Sequence, residues 1–192
     1  MAGKIGFDEK EKLEKAMAVF WQKGYQGTSM HDLVDAMLIN RSSLYNTFGD
    51  KHDLFLSCLS YYSDIMYHNY ELVVKKGNNA LDTLLNIIDE GVNLAIGRLP
   101  TCMATKAVFE LSPVDADAFH ILKKDEERII QLLTTLVKQA KKAQQINVQY
   151  EPGMLATFIY AQFPGWRRSF MLHSDPKLIH QMAVMLKNIL MK

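Results

Sequence analysis

The chain has 192 residues, of which 48% are hydrophobic and 22% charged, and its formal net charge is +1. This composition is typical of a globular protein and excludes a wholly disordered or fibrous chain, while the near-zero net charge excludes binding to a polyanion by overall charge alone. No run approaches the roughly 18 apolar residues of a membrane span, and the start lacks the apolar stretch of a signal peptide, so we expect a cytoplasmic protein.

The first two predicted helices are short and well delimited. Apolar residues repeat at helical spacing from Leu13 to Phe20, which predicts a first helix from about Asp8 to Lys23. The second helix begins after Ser29, which lies three residues before Asp32 as in a capping box, and it covers residues 30–37.

The third helix is predicted from Arg41 to about Phe48, and only residues 38–40 separate it from the second. Asn40 is a favourable N-cap, and Leu44 and Phe48 hold one face of the helix inward. The opposite face carries hydrogen-bonding side chains. A long fourth helix follows, running from a cap near residue 50 to about residue 76.

Five further helices are predicted from residue 78 onward, because apolar residues keep the helical period between Gly and Pro positions. They cover about Leu81–Gly97, Pro100–Leu111 and Asp115–Gln144, and two more begin at Pro152 and Asp175. No segment shows the alternation of a strand. The sequence therefore predicts an all-α fold of about nine helices, with an N-terminal three-helix part and a larger C-terminal part.

The second and third helices have the geometry of a helix-turn-helix motif, whose second helix lies in the major groove of DNA. Polar side chains on that helix supply donors and acceptors for base edges and phosphates, and the starts of helices favour phosphate. Surface helices without a nucleic-acid partner also have polar faces, so the spacing alone leaves both readings open. The candidate DNA-binding residues are Thr28, Ser29, Asn40, Arg41, Ser42, Ser43, Tyr45, Asn46 and Lys51.

Residues 16–55 resemble the N-terminal domain of TetR-family transcriptional regulators. The shared features are Phe and Gly-Tyr at the end of the first helix, Thr-Ser opening the second, Leu-Tyr with Phe48 in the third, and an acid with Lys opening the fourth. The resemblance implies a helix-turn-helix DNA-binding domain over residues 1–52. It also implies phosphate contacts from Thr28 and Lys51, groove contacts from Arg41 and Ser43, and contacts to base edges or backbone from Tyr45 and Asn46.

Two features depart from this family pattern. The turn has Leu38 where the family usually has Gly, so either the turn relaxes or Leu38 adopts a strained backbone conformation. Residues 1–55 contain seven basic and eight acidic side chains, a net charge of −1. We therefore expect modest nonspecific DNA affinity with few phosphate contacts.

The resemblance further implies that residues 53–192 form a ligand-binding and dimerisation domain, whose last two helices pack against those of a second subunit. Such a homodimer binds a palindromic double-stranded DNA operator, and a repressor of this kind is released by a small inducer. The alternative is that these helix faces are buried within one subunit. The predicted dimer contacts are Phe158, Gln162, Gly165, Ser169, Ile179, Met182, Leu186 and Ile189.

Eleven Met residues and many aromatic residues are compatible with an adaptable cavity for an apolar or aromatic inducer, although such residues are more often plain core. Cys102 lies near a predicted helix start, and the sequence leaves open whether it is a sensing or an inert thiol. The candidate ligand-binding residues are Tyr62, Met66, Cys102, Met103, Phe109, Phe119, Phe163 and Trp166.

The sequence predicts no catalytic residues, metal site or cofactor, because it has no histidine pair at metal-ligand spacing and no nucleotide-binding or hydrolase motif. The function predicted is therefore that of a ligand-responsive transcriptional repressor rather than an enzyme. The alternative is a helical small-molecule-binding protein, or an enzyme, that does not bind DNA.

Overall fold

The computed structural model describes residues 7–97, 102–111 and 114–191, and within these ranges all regular structure is helical. The helices are α1 Glu9–Lys23, α2 Met30–Met37, α3 Arg41–Phe48, α4 Lys51–Lys76, α5 Ala80–Ile96, α6 Met103–Glu110, α7 Ala116–Lys142, α8 Pro152–His173 and α9 Pro176–Met191. The all-α prediction is confirmed. Pro100, predicted to open α6, lies outside the described residues. Among the helices described, none combines the length and apolar character that crossing a membrane requires.

Side-chain caps explain where several of these helices begin. A helix leaves its first backbone N–H groups without partners inside the helix, and a polar side chain just before it supplies an acceptor. Four of these side-chain acceptors are Asp8 for α1, Ser29 for α2, Asn40 for α3 and Asn79 for α5. Loss of one such cap typically costs about 1 kcal/mol.

The chain forms two compact units. The first comprises Met1–Ile65 with Thr101–Lys123, and the second comprises Met66–Pro100 with Lys124–Lys192. The first unit extends past residue 52 because the start of α4 packs against α1. There the rings of Phe20 and Phe55 meet edge-on, with their centres 5.0 Å apart. The functional division into residues 1–52 and 53–192 remains a prediction.

The core of the first unit places α2 and α3 on a fixed base. Leu33 and Met37 of α2 and Leu44 of α3 have no exposed surface. Their burial fixes which faces of the two short helices point outward. The other large apolar side chains buried in this unit are Phe20, Leu54, Phe55, Leu59, Tyr62, Met103, Leu111 and Leu122.

The core of the second unit is built from α5, α8 and α9 together with parts of α4 and α7. At Gly91 of α5, an added Cβ would lie 2.6 Å from the ring of Phe163 on α8, so the glycine permits this close approach. Arg167 of α8 donates to the carbonyl of Leu94 at 2.6 Å, which satisfies a carbonyl near the end of α5.

The turn between α2 and α3 is left-handed at a residue with a side chain. Leu38 has φ 52° and ψ 46°, and it is 75% exposed. This conformation costs an L-residue other than Gly about 1–2 kcal/mol. Of the two outcomes left open by the sequence, the turn therefore keeps the geometry that favours Gly, and Leu38 is strained.

Candidate nucleic-acid interface

The outward face of α3 is polar and accessible. Its inward side is anchored by Leu44, while Arg41, Ser42, Tyr45 and Asn46 are exposed. The side-chain amide oxygen of Asn40 accepts from the backbone N–H of Ser43 at 2.7 Å. The side chain that caps α3 therefore lies at the exposed start of this helix. These side chains carry both donors and acceptors, which is what contacts to base edges require.

Arg41 and Tyr45 form a pair on adjacent turns of α3. The Arg41 guanidinium lies 5.7 Å from the centre of the Tyr45 ring, and its Nη2 is 3.5 Å from the Tyr45 hydroxyl. A cation held over an aromatic ring loses part of its rotamer freedom, so the pair is partly preorganised at the surface. Its location at the first turn of α3 matches the position from which a reading helix contacts bases.

The start of α2 is ordered by a capping box. The Ser29 hydroxyl accepts from the N–H of Asp32 at 3.1 Å, and the Asp32 carboxylate accepts from the N–H of Ser29 at 2.9 Å. A hydrogen bond from the Lys23 ammonium, with those from Ser29, holds the pKa of the Asp32 carboxyl well below its usual range. Ser29 is exposed and remains a candidate for phosphate contact, whereas Lys23 is engaged by Asp32.

Thr28 does not fit the predicted phosphate contact through its side chain. It is only 2% exposed, and its hydroxyl donates to the carbonyl of Gly24 at 2.6 Å. The hydroxyl thereby closes the loop between α1 and α2, and sequence spacing could not distinguish this internal bond from a surface position.

Lys51 also contacts this loop. Its ammonium donates to the carbonyl of Thr28 at 2.7 Å and lies 4.4 Å from the centre of the Tyr25 ring. An ammonium group has three N–H donors, so these contacts are compatible with a phosphate contact from the same residue. They hold the cation beside the start of α2.

Helix α6 clamps the same loop from the other side, a feature that the sequence did not predict. Glu110 accepts from the backbone N–H groups of Tyr25 at 3.1 Å and Gln26 at 2.6 Å. Lys106, one turn earlier, donates to the carbonyls of Trp21 at 3.0 Å and Gln22 at 3.1 Å, at the end of α1. The clamp joins residues about 85 positions apart, so no local pattern indicates it.

We expect Glu110→Ala to destabilise the protein by about 1–3 kcal/mol, because it removes an ionised acceptor from two backbone N–H groups. Urea denaturation measures this change. Hydrogen exchange should accelerate at Tyr25 and Gln26, and Glu110→Gln should restore part of the protection because it keeps one acceptor oxygen. The control is Glu126→Ala, which changes an exposed glutamate elsewhere. If the amides of Tyr25 and Gln26 exchange at the same rate in Glu110→Ala as in this control, the clamp is contradicted.

His52 and Asp115 join the start of α4 to the start of α7 within the first unit, with Nε2 and Oδ2 2.7 Å apart. The backbone N–H of Ala118 and the His52 imidazole hold the pKa of the Asp115 carboxyl below its usual range, against the opposing effect of burial. The pKa of Asp115 is lower in the folded than in the unfolded state, where it is about 3.9. The carboxylate therefore stabilises the fold at pH values above the unfolded-state pKa, and this stabilisation is lost as the pH falls through the folded-state pKa.

Accordingly, the free energy of unfolding of Asp115→Asn should change less than that of the wild type between about pH 5 and about pH 2.5. Urea denaturation at several pH values checks this expectation. The neighbouring exposed carboxyl provides the control, since Asp117→Asn should leave the wild-type pH profile in place. Identical profiles for both variants would show that the Asp115 carboxylate has no role in acid stability.

One group of potential metal ligands occurs among the described residues, formed by Asp50, His52 and Asp53. Its carboxylates have another role, because Asp50 accepts from the backbone N–H of His52 at 2.7 Å and Asp53 accepts from that of Asp50 at 3.1 Å. These bonds cap the start of α4, and they account for the acidic pair without a metal ion.

Comparison with known proteins agrees with this geometry. Residues 13–58 match the model of the tetR family of bacterial regulatory proteins. The HTH-type transcriptional regulator YezE of Bacillus subtilis is 28% identical over 143 residues, which cover 73% of this chain and 74% of that protein. The HTH-type transcriptional repressor ComR of Escherichia coli is 45% identical over 58 residues, which cover 30% of this chain and 28% of ComR. Residues 13–58 therefore have the sequence of a tetR-family domain.

Solved structures show the same fold across nearly the whole chain. Reduced NemR of Escherichia coli superposes with a TM-score of 0.85 at 18% identity, covering 94% of this chain and 95% of NemR. A cysteine variant of the TetR-family regulator CifR, complexed with a 26-bp operator duplex, gives a TM-score of 0.84 at 22% identity and covers 96% and 97% of the two chains. The chain therefore has the fold of these TetR-family regulators over nearly its whole length.

The predicted ligand-binding residues fall into both units. In the first unit, Tyr62 and Met103 are buried, and the Tyr62 hydroxyl lies 3.3 Å from the sulfur of Cys102. Phe109 is 81% exposed and Phe119 44%, so the residues that the structure describes do not enclose either side chain. Their assignment to ligand binding stays a prediction, since helical spacing did not show which side of α6 and α7 faces the core.

In the second unit, Phe163 and Trp166 belong to the packed core, and their ring centres are 5.4 Å apart. Met66 is partly exposed. The close approach of Phe163 to Gly91 makes the plain-core interpretation the better one for this aromatic pair.

The predicted dimer residues divide into two groups. Ile179 and Leu186 lie in the core of the second unit, so their assignment to a dimer contact was wrong. Phe158, Gly165 and Ile189 are exposed, and Gln162, Ser169 and Met182 are partly exposed. Exposed apolar residues that the sequence did not single out extend this face, namely Met154, Leu172, Val184 and Met185.

Proposed function

We propose that this TetR-family chain is a repressor that binds a palindromic operator as a homodimer through α3 and is released by a small apolar or aromatic inducer. The observation that carries the DNA-binding part is the exposed polar face of α3, with Arg41 stacked on Tyr45 at its first turn. Asn46, Ser42 and Ser43 add groove or backbone contacts, and Ser29 and Lys51 bind flanking phosphates.

The homodimer is supported by the exposed apolar faces of α8 and α9. Residues 154, 158, 165 and 172 follow one stripe along α8, with the buried residues on the opposite side. An added Cβ at Gly165 would meet no atom within 4 Å, so the chain leaves room for close approach by another helix. A two-fold dimer presents two copies of α3 to the two halves of a palindrome.

We propose that the inducer binds mainly within residues 53–192. Support comes from the Cys102 sulfur, which lies next to the Tyr62 hydroxyl, and from the edge-on contact at 5.1 Å between Tyr62 and Trp21 of α1, since these groups bring aromatic faces and a thiol together. An inducer that binds the DNA-free form more tightly shifts the population away from the operator complex.

A gel-shift titration tests the proposal with the intergenic DNA that flanks the gene of this protein. The wild-type chain should retard one fragment of this DNA in the presence of excess unrelated duplex. A panel of flat aromatic compounds and mild electrophiles should then include at least one that releases it. If no duplex is bound specifically, the DNA-binding proposal fails. If the duplex is bound and nothing in a broad panel releases it, the inducer proposal fails alone.

A further inference from the structure

Leu38 combines two features that do not stabilise the free chain. Its backbone is left-handed at φ 52°, which is unfavourable for leucine, and its side chain is 75% exposed, so that it buries little apolar surface. Gly or Asn would make the same turn with less strain. A strained residue at an exposed position of a binding motif suggests a role outside the chain.

The position of Leu38 places it beside the reading face of α3. Only residues 39 and 40 separate it from Arg41, so the two Cα atoms are at most about 11 Å apart. Successive base pairs are about 3.4 Å apart, and this distance corresponds to roughly three steps along the duplex. Asn40 is polar and Ile39 is partly buried, which leaves Leu38 as the exposed apolar residue closest in sequence to the start of α3.

We propose that Leu38 is a specificity-determining residue whose side chain packs on the C5-methyl group of a thymine in the major groove. The inference rests on the proposed operator binding by α3. The thymine methyl is the apolar group that base edges present in that groove, whereas Arg41, Tyr45 and Asn46 suit its polar groups. Leu38 therefore adds a preference for thymine that the polar residues do not supply.

The probe is a duplex enriched from a random-sequence pool by the wild-type protein, compared with the same duplex in which deoxyuridine replaces every thymidine. The tested variant is Leu38→Gly. The control is Gln144→Gly. It relieves the backbone strain at another left-handed residue, which has φ 55° and lies in the second unit. Both variants lose the left-handed strain, but only one changes the turn next to α3.

On the thymine duplex, Leu38→Gly should bind about 5- to 10-fold more weakly than the wild type, as expected for the loss of one methyl contact in each half-site. On the deoxyuridine duplex the difference should disappear, because the wild type has lost the same contact. Gln144→Gly should follow the wild type on both duplexes. Leu38→Asn should give the same result as Leu38→Gly, because asparagine also suits a left-handed turn. Agreement of the two variants shows that the weaker binding does not come from a turn made flexible by glycine.

Wild-type affinity of both Leu38 variants for the thymine duplex would overturn the inference, and so would equal weakening on the two duplexes. Either result would leave the operator-binding proposal intact, since the wild type would still bind its enriched duplex. Failure of the wild type to enrich any duplex would overturn the operator-binding proposal and this inference with it.

Discussion

Replacing Arg41 with alanine is expected to weaken operator binding by at least 30-fold. A well-placed arginine contributes about 1–3 kcal/mol of discrimination at a base pair. A homodimer carries two copies of α3, so the total loss is about 2–6 kcal/mol, or roughly 30-fold to 10⁴-fold in Kd. Equilibrium titration of a labelled operator at fixed salt measures the change.

The expected loss comes from the place of Arg41 in the fold. It is the first residue of α3 and is exposed, and the only side-chain contacts described for its guanidinium are those with Tyr45. Removing it therefore leaves the core anchored by Leu44 intact. Tyr45→Phe removes one hydroxyl while keeping the ring, and we expect a smaller loss, of about 2- to 10-fold in Kd.

Two controls separate base reading from charge. Lys142→Ala removes one positive charge from an exposed position at the end of α7, and it should leave operator affinity close to that of the wild type. Arg41→Lys keeps the charge but loses the planar fork, so it should lose sequence preference more than it loses nonspecific binding. Unchanged sequence preference in both Arg41→Ala and Tyr45→Phe would place the reading face elsewhere.

The parts of this structure that follow local rules could be predicted from the sequence. The boundaries of α2 and α3 depend on Ser29 and Asn40 as caps and on the apolar spacing of Leu33, Met37 and Leu44. Each rule acts over fewer than ten residues, and the structure agrees with each of them. Family resemblance added the DNA-binding function, which periodicity alone left undecided.

The parts that depend on distant packing could not be predicted. The sequence predicts a phosphate contact for Thr28, but its hydroxyl closes a loop that Glu110 and Lys106 hold from a helix about 80 residues away in the sequence. Phe109, a candidate for ligand binding, is largely exposed, and Ile179, a predicted dimer contact, is buried in the core of its own unit. An apolar residue at helical spacing shows that a helix has an apolar face, and the neighbours of that helix decide which face is covered.

The exposed apolar stripe on α8 leads to the second large prediction. Phe158→Glu should convert the proposed homodimer into monomers, because a carboxylate at the centre of an apolar interface would lose its hydration without gaining a partner. Phe158 is 44% exposed in the single chain, so the substitution leaves the core of its own unit largely intact. Sedimentation equilibrium measures the change in mass. Tyr150→Glu is the matched control, since it replaces an exposed aromatic residue that precedes α8.

The same variant tests how the two copies of α3 act together on DNA. Two linked reading helices gain a factor of about 10²–10⁴ in affinity over one, because the second contact forms at high effective concentration. Monomeric Phe158→Glu should therefore bind the full operator at least about 100-fold more weakly than the wild type. It should also bind a full palindrome and an isolated half-site with similar affinity, whereas the wild type strongly prefers the palindrome. A variant that is monomeric yet keeps wild-type preference for the palindrome would show that the apolar face of α8 is not what brings two reading helices together.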